Sequence, residues 1–347
     1  MIQLYPLLFE ANLHAVVWGG HQLRGYKGMA ASDEPIGESW EVSAVPSSTS
    51  IVSNGVFRGW DLVSIINEYP ESILGKAVNE RYQGKLPLLV KFIDAERDLS
   101  IQVHPNNEMA QREHGKMGKS EMWYVIKASE GAHLYAGFKQ KITPEEYEKR
   151  VADGSIVEVL ADHQVKAGDV FYLPAGRVHA ICGGIMLVEV QQSSDVTYRI
   201  YDYNRPGMDG KPRELHTELA AQALNYHVEE NYRTMYPDSV NKAVQVIDTP
   251  YFDVRVMEIS KVFHRDLRKY DSFVISMCIE GDCKIRVRST GEEILLRQGW
   301  STLIPAAIAD YDILPQEGTT RLLDAFINNQ KNGMKEVVSR FWHYSGE

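Results

Sequence analysis

Cysteine is scarce in this chain: 347 residues hold three, Cys182, Cys278 and Cys283. An odd count without metal-type spacing excludes a disulfide framework and a thiolate zinc site. The three read as free thiols, packed as small core residues in a reducing compartment. Runs of basic residues are absent, and the formal net charge is −10. That excludes a nucleic-acid binder, whose footprint is a positive face. An anionic small molecule needs a local basic pocket to offset the global field. Long hydrophobic runs are absent too; none approaches the roughly 18 residues of a membrane span. The opening Met-Ile-Gln-Leu-Tyr-Pro has neither a basic n-region nor a cleavage site, so no secretory signal is expected and the cytoplasm is the default. What remains is an ordinary globular composition, 44% hydrophobic and 24% charged, sufficient for one large or two medium domains.

Most of the chain reads as short β-strands. The segments 86–93, 122–128, 170–173, 185–191 and 197–203 are rich in Val, Ile, Tyr, Phe or Leu and are broken by Gly, Pro, Asn and Asp. Closely spaced strands with glycine turns favour a barrel or sandwich over alternating β and α units. Helices are few and short. Thr143-Pro-Glu-Glu146 has the form of a capping box, opening a helix to about Val151 that stops near Gly154. Residues 61–68 and about 214–226 are the other helical candidates. The stretch 204–212 is a turn-rich loop. From about Val244 a second strand series begins, through 273–279, 283–287 and 294–296. It ends on Gly299-Trp-Ser-Thr-Leu-Ile-Pro305, which repeats the glycine-to-proline spacing of Gly168-Asp-Val-Phe-Tyr-Leu-Pro174. The pattern predicts an internal repeat of one β unit. His179 follows the first copy; Asp310 stands at the matching position in the second, with no Gln-x-His upstream. The second copy is expected to bind no metal.

Four residues of the first series form a ligand set. Gln102 and His104 are two apart, so one strand face presents both. Glu121 and His179 come from other strands. Imidazole nitrogens with carboxylate and amide oxygens suit Zn²⁺, and equally Fe²⁺, Mn²⁺ or Co²⁺. Such a set leaves positions open for water or substrate, as catalytic metal sites require. The remaining histidines, His343 among them, read as surface or structural residues.

At these residues the chain resembles a known family. Gly168–His179 is similar to the second motif of the cupins. Gln102-Val-His104-Pro followed by Lys119-Ser-Glu121-Met-Trp resembles the metal half of type I mannose-6-phosphate isomerases, in their short bacterial form. Val17-Trp-Gly-Gly-His-Gln-Leu23, Gly37-Glu-Ser-Trp-Glu-Val-Ser43, Leu86-Pro-Leu-Leu-Val-Lys91 and Thr197-Tyr-Arg-Ile-Tyr-Asp202 are similar to further family segments. The resemblance spans roughly residues 16 to 205. It implies a mainly β fold of two cupin jelly-roll barrels: a catalytic metal-binding domain over 1–240 and a degenerate, metal-free one over 241–347. It implies a zinc-dependent aldose–ketose isomerase interconverting mannose 6-phosphate and fructose 6-phosphate through an enediolate. Gln102, His104, Glu121 and His179 are then the zinc ligands, and Arg199 matches the family's active-site arginine. Arg177 stands where the family often has threonine.

That chemistry needs a proton carried between C1 and C2, a stabilised enediolate and an anchored phosphate. Arg199 cannot readily deprotonate, so it is expected to act as a fixed cation beside the enediolate or as a proton-positioning donor. Ser100 and Lys119 each precede a ligand by two and share its face, and Lys91 sits in an otherwise apolar strand; these three are the expected phosphate contacts. Metal-bound water, a ligand histidine, Lys119 and Glu189 all stand open as the base. Glu38 and Trp18 are candidates for lining the pocket. Two alternatives remain: a cupin Fe(II) dioxygenase, and a non-catalytic sugar-phosphate sensor.

Overall fold

A computed structural model describes residues 3–330 of the chain; His343 and the rest of 331–347 lie outside them. Alternation decides the architecture. In Leu88–Ala95, Val90 and Phe92 enter one core while Ile93 and Ala95 enter another. In Glu121–Ala128, Met122 and Tyr124 take the first side, Trp123 and Val125 the second. A strand with an apolar side chain on each face must be covered on both. Every residue of Leu88–Ala95 and Ile185–Gln192 is buried accordingly.

The first sheet runs, in spatial order, Arg233–Thr234, Val170–Leu173, Glu121–Ala128, Ile185–Gln192, Leu88–Ala95, Leu13–Gly20 and Ile36–Val42. A smaller sheet runs Tyr198–Tyr201, Ile101–Val103, His179–Ile181, His133–Phe138 and Leu160–Gln164. Trp123 and Leu187 from the larger sheet and Leu134 and Ile181 from the smaller share one core. The other face of the smaller sheet is closed by helices Pro144–Asp153 and Thr217–Ala223, through Tyr147 and Ala220.

The C-terminal part repeats this plan. One sheet runs Leu7–Leu8, Ser301–Ile304, Val274–Glu280, Thr320–Phe326, Asp253–Ile259 and Ala243–Asp248; the other runs Phe263–Asp266, Asp310–Pro315, Cys283–Val287 and Glu293–Leu296. In the larger sheet of each pair, four adjacent strands stand third, second, fourth, first in chain order. In the smaller sheets the order is first, fourth, second, third both times. The glycine turns match as well. Gly168 and Gly299 both have positive φ, 88° and 77°, where a side chain would be strained. The Gly168 amide donates to Val125 and the Val125 amide to Asp169; Gly299 and Cys278 repeat this, with Cys278 donating to Trp300. The same strand order and the same glycine turn thus recur in the two sheet pairs. The two large sheets pack back to back, and one core joins Val90 and Phe92 to Val254, Ile275 and Leu323. Leu7–Leu8, from the start of the chain, pairs with Ser301–Ile304.

The local expectations fare as their chemistry suggests. Thr143 caps its helix through the Glu146 amide and Gly154 ends it in the left-handed region, but the Glu146 carboxylate turns to Arg150 at 2.9 Å. Asp61 caps Leu62–Glu68. The 214–226 expectation contracts to Thr217–Ala223, because Leu224 is already extended. The 197–203 strand contracts to Tyr198–Tyr201, since Tyr203 and Asn204 take positive φ as the following turn begins. The short helices Gln22–Tyr26, Pro70–Leu74, Lys76–Tyr82 and Asn107–His114 were not expected; each is too brief to show a hydrophobic period. The three cysteines are free and buried. No helix among the described residues is long and apolar enough to cross a membrane.

Candidate metal centre

The ligand residues meet where the two sheets of the first pair face each other. His179 opens its strand directly opposite Gln102. His104 follows the Gln102 strand by one residue, and Glu121 opens the strand that pairs with Val170–Leu173. His104 Nε2 lies 3.4 Å from one Glu121 oxygen, and His179 Nε2 lies 3.3 Å from the other. The ligand atoms of these three residues all fall within 4.8 Å of one another. Each is at most 1% exposed.

Both imidazoles are oriented from behind. Nδ1 of His104 sits 2.9 Å from the Val196 carbonyl, and Nδ1 of His179 sits 2.8 Å from the Arg177 carbonyl. A carbonyl only accepts, so each Nδ1 carries the proton and each Nε2 directs a lone pair at the centre. Burial, and then Lys119, pushes His104 down to about 3; burial lowers His179 as well. Neutral imidazole is the form that binds metal. For Glu121, burial favours the neutral acid, but Lys119 and the two histidines outweigh it and hold the carboxyl well below its ordinary range. The consequence is an under-bonded set: His104 Nε2 and both Glu121 oxygens are buried with no hydrogen-bond partner, and Glu121 has only the ion pair to Lys119 at 3.2 Å. Lone pairs turned toward each other in a dry interior are costly unless a cation sits among them. The donor set fits a divalent metal. Gln102 adjoins it, with its amide 3.4 Å from His179 Nε2. Rotating that amide would turn its oxygen toward the centre.

A cavity of about 230 Å³ adjoins this cluster; Gln102 and Lys119 line it, while His104, Glu121 and His179 do not. Its walls carry Lys91, Ser100, Gln102, Lys119, Glu189 and Arg199, so the polar residues expected from the sequence share one space. Trp18 and Glu38 line it too. Lys119 Nζ lies 3.2 Å from Glu121. Lys91 sits between two carboxylates, 3.6 Å from Glu38 and 3.2 Å from Glu189. Burial works against its charge, but Glu38 and Glu189 prevail and hold it above the usual lysine range. Glu189 also accepts from Trp123 Nε1 at 3.0 Å. Its carboxyl is raised by burial and by Glu121, against the pull of Lys91 and Lys119. Arg199 Nε donates to Ser100 Oγ at 3.3 Å, and Ser100 Oγ lies 3.4 Å from the Gln102 amide oxygen. Arg177 turns away: its guanidinium binds the Tyr172 carbonyl and Glu229 and covers the Tyr232 ring. A larger hollow of about 670 Å³ touches the site only at Ser194 and Asp195 and holds none of the expected site residues.

Residues 7–132 match the family described as phosphomannose isomerase type I, catalytic domain. A mannose-6-phosphate isomerase of Streptococcus mutans is 35% identical over 307 residues, 88% of this chain and 94% of the relative. The chain belongs to the type I phosphomannose isomerases. A probable mannose-6-phosphate isomerase of Bacillus subtilis, GmuF, is 33% identical over 323 residues, covering 92% of this chain and 98% of its own. The crystal structure of the Bacillus subtilis mannose 6-phosphate isomerase superposes with a TM-score of 0.82 at 30% identity, covering 93% of this chain and 99% of that one. As in the rest of this isomerase family, the fold is a cupin one, mainly β with a few short helices.

Two features of the isomerase site were not legible beforehand. The Glu38–Lys91–Glu189 ion pairs depend on strand register, which sets Lys91 opposite both Trp40 and Glu189. Arg213 also lines the cavity, after a turn that reads as plain loop.

Proposed function

We propose that this chain interconverts mannose 6-phosphate and fructose 6-phosphate, with His104, Glu121, His179 and Gln102 holding one divalent metal, zinc by preference. The observation that carries this is the under-bonded, buried trio of His104 Nε2 and the Glu121 oxygens beside a cation-bearing cavity. When bound, the metal supplies a Lewis acid for the sugar oxygens at C1 and C2. Arg199 stands as a fixed cation one hydrogen bond from Ser100 and stabilises the enediolate that forms as C2 loses its proton. Glu189 is the cavity carboxyl best suited to move that proton, because burial and Glu121 raise its affinity for it. Ser100 and Lys119 contact the substrate's polar groups from the same wall. Lys91, expected as a phosphate contact, is better placed to keep Glu38 and Glu189 in position, since both of its ion pairs are short and buried.

In this reading the first sheet pair, to about residue 240, is the catalytic unit and the second is metal-free. Three free, buried cysteines support a cytoplasmic setting. The dioxygenase alternative gives no purpose to Arg199 and Lys119 around the opening. A coupled assay for fructose 6-phosphate formed from mannose 6-phosphate tests the proposal. Turnover should be abolished by a chelator and restored by Zn²⁺; binding without turnover in metal-replete protein would instead point to a sensor.

A further inference from the structure

The cations on the inner wall of the cavity are matched by carboxylates: Lys91 by Glu38 and Glu189, and Lys119 by Glu121. The outer end is different. Buried Asp202 receives two guanidiniums, Arg205 at 3.0 and 2.9 Å and Arg213 at 2.7 and 2.6 Å. Arg199 stands beside them and gives its hydrogen bonds to neutral groups, Ser100 Oγ and the Glu214 carbonyl. Three guanidiniums gather around one buried carboxylate, a local cluster of cations in a protein whose net charge is −10. Arg199 is held below the usual arginine range first by burial and then by repulsion from Arg213. An anion between the two relieves that repulsion.

We propose that Arg213 is a substrate-binding residue which takes the phosphate group of the sugar at the end of the cavity away from the metal ligands, with Arg199 standing between it and the reacting carbons. The inference rests on the sugar-phosphate reading given above. Three observations carry it. Hydrogen-bond contacts run outward from the ligand cluster: His179 to Gln102, Gln102 to Ser100, Ser100 to Arg199. The sugar lies along that line, with C1 and C2 between the cluster and Arg199 and the phosphate at Arg213. Of the two arginines on Asp202, only Arg213 also lines the cavity. Asp202 engages Nε and NH2 of Arg213, which fixes the guanidinium and leaves NH1 outside that pairing. A phosphate ester near neutral pH carries most of two negative charges, which suits the local cluster of cations.

The test is a KM-against-kcat split with a direct binding measurement beside it. For Arg213→Met, the KM for mannose 6-phosphate should rise roughly 10- to 100-fold, the cost of a lost charged hydrogen bond, while kcat falls less than about threefold. Calorimetry with mannitol 6-phosphate, which cannot isomerise, and with inorganic phosphate should show a comparable loss of affinity. Arg213→Lys keeps the charge but not the fork, and should fall between the wild type and Arg213→Met; it also serves if Arg213→Met does not fold. KM and both affinities within about twofold of wild type in a folded variant would overturn the proposal and leave Arg213 as a structural partner of Asp202. Absence of turnover by the wild-type holoenzyme would overturn the isomerase reading instead, and the binding of inorganic phosphate would still decide on the anion site.

Discussion

The two sheet pairs share a strand order and differ in what fills the space between the sheets. In the first, Gln102 stands opposite His179; in the second, Arg265 stands opposite Tyr311. Glu189 lies between Lys91 and Trp123, and its counterpart Asp324 lies between Arg255 and Ser276. The polar residues of the second pair answer one another. Asp324 accepts from Arg265 at 3.0 Å, from Tyr311 at 3.1 Å and from Ser276. Those of the first leave His104 and Glu121 with lone pairs unanswered. One scaffold thus carries a polar interior closed around an Arg265–Asp324 ion pair, and the other a cluster of acceptors turned toward one another, which a cation would complete. The difference separates a structural polar core from a functional one more clearly than burial does, since both sets are buried.

Substitutions can break that comparison. The largest effect should fall on the open side. Glu121→Ala should release the metal and lower kcat/KM by at least about a thousandfold, on the scale of the several kcal/mol a metal contributes to charge stabilisation. Metal content by mass spectrometry beside the kinetics checks it; retained metal with retained activity would mean the trio is not the binding site. On the closed side, Asp324→Ala should leave metal and kcat/KM alone but cost about 3–5 kcal/mol of stability, because Arg265 keeps a buried charge without a partner. Denaturant unfolding measures this, and a loss of activity without a loss of stability would reverse the assignment of the two interiors. The smallest effect should come from Tyr311→Phe, which removes one hydrogen bond to Asp324 and should cost about 1 kcal/mol. A stability loss several times larger would show the closed network to be more cooperative than its pairs suggest.

Much of the first interior was legible because period-two alternation is a local property. Gln102 and His104 had to share a face, as did Lys119 and Glu121, and the glycine-to-proline spacing located the turn before His179. What depends on register was not legible. Nothing near Lys91 in sequence announces Glu38 or Glu189, and nothing near Arg213 announces Asp202 as the group that holds it. Matching by spacing also misled slightly in the second copy. Asp310 does open its strand as His179 does, but it turns to His264, Arg268 and Arg288 at the surface. The buried place opposite Arg265 goes to Tyr311, one residue later. A shift of one residue reverses the face of a strand, so a repeat aligned correctly in sequence can still misassign an inward side chain.

The pairing of Leu7 with Leu303 has a consequence for how the chain is made. A ribosome releases Leu7–Leu8 long before Ser301–Ile304, the strand they edge, exists. Leu7–Leu8 therefore wait until residues 301–304 have been made, and that edge of the sheet closes only then. A cut near residue 240 would leave the late piece without that edge strand and the early piece with two leucines that have lost their place.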